Sequence, residues 1–145
     1  MVLYGHSLGS AIATELAGFM QSRPPAALVL QSPFTSAQAM AARMLVPPIP
    51  GLWRLIARVH YDTRRAVGSL AIPVHVAHGT RDVVIPVRMG RAVFAAAKRP
   101  GALLLVEGAG HNDVADAGGR DYWRWLTTAV SAPVELEEER RGRLP

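Results

Sequence analysis

Four short, predominantly apolar runs constrain this chain more than any other feature: Met1 to Tyr4, Ala27 to Leu30, Ile72 to Ala77 and Ala102 to Val106. Each is near strand length and apolar on consecutive positions, the pattern of a strand buried on both faces of a parallel sheet. Helical patterns lie between and after them. Leu8 to Gln21 repeats apolar groups at Ile12, Leu16, Phe19 and Met20, and Val87 to Lys98 does so at Met89, Val93, Phe94 and Ala97. Tyr122, Leu126 and Ala129 give a last helix the same kind of face. Alternating strand and helix predicts an α/β fold, a parallel sheet of about four strands with flanking helices.

One segment breaks the rhythm. Between the second and third runs, Thr35 to Arg65 holds Pro47, Pro48, Pro50 and Gly51 and is longer than an ordinary crossover. Two short helices are expected in it, Ala37 to Leu45 and Leu52 to His60, as a small lid-like insertion over residues 35–65 beside the sheet's active edge. Past Pro133, Glu135 to Arg143 sets acids ahead of bases, which reads as a solvated, frayed tail over residues 133–145. Residues 1–132 then form one domain.

Composition removes several classes of function. Half of the 145 residues are apolar and 19% are charged, a soluble globular balance, and no run reaches the ~18 apolar residues of a spanning helix. There is no cysteine, so thiol nucleophiles, disulfides and sulfur-ligated zinc are ruled out, and a reducing, cytoplasmic setting is expected. The net charge of +5 rests on fifteen arginines and a single lysine, Lys98, scattered without an aromatic-interleaved stripe. Nucleic acid is therefore not expected as a partner.

Gly5-His6-Ser7-Leu8-Gly9 has the form G-x-S-x-G and falls directly between an apolar strand and an amphipathic helix. In that setting a sharp turn holds the serine at its tip, and the flanking glycines let strand and helix approach. The N–H of Leu8, at the start of the helix, points to where an oxyanion forms when Ser7 attacks a carbonyl. A serine hydroxyl needs a base, and the base needs an orienting group. Asp82 follows the third run in His78-Gly79-Thr80-Arg81-Asp82, and His111 follows the fourth in Glu107-Gly108-Ala109-Gly110-His111. Both stand at the carboxyl ends of strands, where open α/β sheets gather functional side chains. Asp113 is the rival acid, too close in sequence to His111 to meet its ring easily from behind. His6, His60, His75 and His78 read as structural histidines, and no metal site is expected.

These residues, together with Gln31-Ser32-Pro33-Phe34-Thr35-Ser36 and Ile72-Pro73, resemble the Bem46-like and ABHD-type α/β-hydrolases over nearly all of Met1 to about Val130. The resemblance implies a serine hydrolase with Ser7 as nucleophile, His111 as base and then acid, Asp82 as orienting carboxylate and Leu8 as one oxyanion donor. It implies hydrolysis of esters, thioesters and some amides, with no cofactor. In the family about four strands precede the elbow, and a loop among them supplies a second oxyanion N–H. The chain is thus expected to be a C-terminal part of such a domain, from a fragment or a misplaced gene start. A catalytically silent interaction module and an acyltransferase are the alternatives. The expected substrate is a small acyl ester or thioester held by Phe34, Met44 and Trp53, with Met40, Leu45, Ile49 and Leu52 nearby. Membrane contact through the lid and homodimer pairing through an exposed first strand are further expectations.

Overall fold

The computed structural model describes the backbone of residues 1–44 and 61–141, and the side chains of 1–43 and 61–131. Four strands form one parallel sheet in the order of the sequence: β1 (Val2–His6), β2 (Ala27–Gln31), β3 (Val74–Gly79) and β4 (Pro100–Val106). Val2 pairs with Ala27, Leu28 with Val74 and Val76 with Leu103. The register slips between Val74 and Val76. There the His75 Nδ1 accepts from the Ala102 N–H at 3.1 Å.

Alternation along the central strands builds two cores, because successive side chains point to opposite faces of a sheet. On one face Leu28, Leu30, Val74 and Val76 pack against α1 (Leu8–Phe19), α3 (Thr63–Val67) and α4 (Val87–Ala96) through Ala13, Ala17, Val67 and Val93. On the other, Val29 and Ala77 meet Val114, Tyr122, Trp125 and Ala129 of α5 (Val114–Arg141), giving three layers. Leu28 and Leu30 are fully buried, so truncating either to alanine costs about 2–5 kcal/mol. A third cluster, Ala11, Phe34, Ile85 and Met89, lies against α2 (Ala37–Met44) through Ala37 and Met40.

Three expectations change. The outward face of α1 is the one expected to be buried: Ile12, Leu16 and Phe19 are 50%, 44% and 83% exposed. The buried residues are Ser10, Ala11, Ala13, Thr14 and Ala17, small groups that bring the helix close to the sheet. Next, the backbone stays helical through Arg141, past the expected start of the tail. That helical run is broken at Gly119 (φ 47°, ψ −126°), where two helices join at a kink. Finally, β3 begins at Val74 rather than Ile72, since Pro73 has no N–H to give a ladder. The first expected lid helix is observed as α2, and the second, Leu52 to His60, lies outside the described residues with Trp53. Among the described residues no helix is long and apolar enough to cross a membrane.

Candidate active site

The turn from β1 into α1 holds Ser7 at φ 55°, a left-handed conformation that costs a non-glycine residue energy. Surrounding structure compensates. The Ser7 N–H donates to the Gln31 carbonyl on β2 at 3.0 Å, and the carbonyl of Ser7 accepts from the Ser10 N–H at 3.0 Å. Close approach explains Gly5, where a Cβ would stand 2.4 Å from the Gly9 carbonyl oxygen and 2.7 Å from Ser10 Cα. Gly9 itself has open space around it. Of the two glycines expected to relieve the turn, only Gly5 is needed for clearance.

The turn after β3 presents Asp82, whose side chain is fully buried. Its Oδ1 accepts from the N–H groups of Val84 (2.9 Å) and Ile85 (2.8 Å). Its Oδ2 is 2.8 Å from His111 Nδ1. A carboxylate only accepts, so Nδ1 carries the proton and Nε2 is left with a lone pair. That lone pair lies 3.0 Å from Ser7 Oγ. Three residues up to 104 positions apart are thus brought into one chain of hydrogen bonds at the carboxyl ends of three strands.

The loop that carries His111 is fixed by its neighbours. The Thr80 N–H donates to the Val106 carbonyl, the Arg81 N–H to the Ala109 carbonyl and the Gly108 N–H to Thr80 Oγ1. Asp113, the rival acid, instead accepts from the Gly110 N–H at 2.6 Å. Two histidines that looked structural in the sequence touch this site. His6 Nε2 donates to the His111 carbonyl at 3.2 Å, with ring centroids 5.2 Å apart. His78 Nε2 stands 3.3 Å from Asp82 Oδ2. The signal for His6 was its place between Gly5 and Ser7, and for His78 its place four residues before Asp82 on the same strand end.

The expected substrate residues are less gathered. Phe34 is buried in the third apolar cluster, not open to the site. Met44 ends α2 and its side chain, like Trp53, lies outside the described residues. On the solvent side, Leu8, Val83 and Val84 are exposed around the same strand ends, and Arg43 donates to the Val83 carbonyl at 3.1 Å. Among the described residues no group of His, Asp and Glu is arranged to hold a metal ion.

No protein-family profile matches the chain. An uncharacterized protein of Mycobacterium tuberculosis is 41% identical over 117 residues, 81% of this chain and 40% of that one. The α/β hydrolase domain-containing protein 17B of Homo sapiens is 36% identical over 114 residues, 79% of this chain and 36% of its own length. The chain therefore spans about two fifths of the curated relatives it matches. Among solved structures, an esterase domain of a Rhodothermus marinus protein superposes with a TM-score of 0.65 at 18% identity, covering 91% of this chain and 60% of that one. Sequence and fold together place the chain with the ABHD-type α/β-hydrolases, part of whose fold it carries.

Proposed function

We propose that the chain carries the reacting groups of a serine hydrolase that cleaves carboxylic ester or thioester bonds through an acyl-enzyme. The observation that carries this reading is the unbroken relay from Ser7 Oγ through His111 to Asp82, at 3.0 and 2.8 Å. Ser7 Oγ attacks the carbonyl carbon as its proton passes to His111 Nε2. The imidazolium that forms is stabilised by Asp82, and the developing oxyanion by the N–H of Leu8. Collapse breaks the bond to the leaving alcohol or thiol, which takes the proton from Nε2. Water then repeats the sequence on the acyl-enzyme and regenerates Ser7. An alcohol or amine in place of water would make the same groups an acyltransferase.

A small acyl ester is the substrate class this reading favours, in line with the esterase domain the fold resembles. A lid-like segment beside the strand ends is supported by α2 and by the Arg43 contact to the turn after β3. Incubation with a fluorophosphonate tests the chemistry, because such a probe bonds only to an activated serine. Labelling lost in both Ser7→Ala and His111→Ala supports it. A folded chain that takes no label favours the silent interaction module. Turnover of p-nitrophenyl butyrate separates hydrolysis from mere reactivity.

A further inference from the structure

Asp82 Oδ1 is held by N–H groups of its own turn, whereas Oδ2 is met from outside it, by His111 and by His78 on β3. The His78 side chain is fully buried. Its Nε2 lies 2.8 Å from the carbonyl oxygen of Ile85. A carbonyl only accepts, so Nε2 bears the proton, and Nδ1 is left buried with no partner among the described residues. Burial pushes the ring's pKa below its usual 6.5, so it stays neutral with one N–H to give.

This arrangement is costly if packing is its whole purpose. An unpartnered buried polar atom costs about 1–3 kcal/mol, which a hydrocarbon side chain of similar size avoids. The ring also needs Gly90 within α4, because a Cβ there would stand 2.2 Å from His78 Nδ1. A glycine in a helix interior costs about 1 kcal/mol relative to alanine. Both costs go with the ring orientation that aims Nε2–H at the turn carrying the acid.

We propose that His78 is a positioning residue for this site: its single Nε2–H, bonded to the Ile85 carbonyl and 3.3 Å from Asp82 Oδ2, fixes the turn 82–85 and the carboxylate that orients His111. The inference rests on the reading of Ser7, His111 and Asp82 as the reacting set. Without His78 the carboxylate has one fewer restraint on Oδ2 and can rotate, so His111 loses its fixed ring orientation. A displacement of about 1 Å in such a relay costs up to ~10²-fold in rate.

Two readouts test it on the whole chain. The first is the low-field proton resonance of His111 Nδ1–H against Asp82, identified by its loss in His111→Ala. The second is the rate of fluorophosphonate labelling. In His78→Leu the resonance should move upfield or vanish, and labelling should slow by about 10- to 100-fold. His78→Gln, whose Nε2–H reaches the same place, should restore both. Gly90→Ala should produce the leucine signature by pushing the ring aside, and it decides the matter if His78→Leu does not fold. The inference is overturned if His78→Leu or Gly90→Ala folds with an unchanged resonance and wild-type labelling, or if glutamine fails as badly as leucine. A wild-type chain that shows the resonance but takes no label overturns the role of Ser7 alone, and the resonances then decide the role of His78. A wild-type chain without the resonance overturns the pairing and this inference together.

Discussion

At one end of the sheet Asp82 has both carboxylate oxygens engaged and no exposed side-chain surface, while along the β1 flank Ile12, Leu16 and Phe19 face solvent. The first region is built from turns of short sequence span, closed by their own backbone N–H groups and by bonds from one loop to the other. The second is an edge strand and a helix whose large apolar side chains find no cover among the described residues, and such exposed apolar surface usually marks a place of contact. A closed polar network and an open apolar flank can therefore coexist in one chain, because the loops carrying Asp82 and His111 lean mainly on β3, β4 and α4, with His6 reaching the His111 carbonyl from β1. Ser7 and His6 belong to the open side.

The comparison breaks most sharply at Ser7. Ser7→Ala should abolish fluorophosphonate labelling outright, and Asp82→Asn should lower it by about 10⁴-fold, since an amide N–H facing His111 Nδ1 would turn the imidazole to the wrong tautomer. Gly5→Ala comes next. Its Cβ must displace the Gly9 carbonyl, and overpacking of this kind costs about 1–3 kcal/mol, seen as a lower denaturation midpoint together with lost labelling.

Acid should act on the supported side. Burial lowers the pKa of His75 and of His78 from 6.5 in the folded chain. The unfolded state therefore binds more protons in the window just below 6.5. The histidines' contribution is fully present above that pH and is lost as pH falls through the window toward the lowered folded values. Melting temperatures between pH 7.5 and 5 should fall on this account, and His75→Asn, whose Oδ1 can take the Ala102 N–H in place of Nδ1, should lessen the fall. The smallest effect belongs to the flank. Phe19→Ser should change stability by no more than about 0.5 kcal/mol by urea denaturation. A loss several times larger would mean that Phe19 is covered in solution and that the two regions differ less than they seem.

That Ser7, Asp82 and His111 meet was legible in the sequence because each follows an apolar run, so that parallel strands carry all three to one sheet edge; their roles belong to the proposed function. The burial of α1 was not legible. Periodicity found a true helix but picked the face with the larger side chains, whereas close packing on β1 and β2 selects Ala13 and Ala17. His78 was also hidden, since its work depends on which way a buried ring points, and that is set by Gly90 on another element. Pro133 suggested a stop, yet the backbone remains helical beyond it. The kink at Gly119 did have a local signal that helical periodicity passed over, the Gly118-Gly119 pair, since paired glycines mark turns and kinks.

The sequential strand order has a consequence for how the chain comes alive. Ser7 lies on the first strand and His111 follows the last, 104 residues later. A nascent chain can lay down β1, β2 and β3 side by side, yet on the proposed reading its serine stays inert until β4 docks and brings His111. Reactivity toward a covalent probe is then a clock for the final step of assembly, and pulse-labelling during refolding would time the arrival of that last strand.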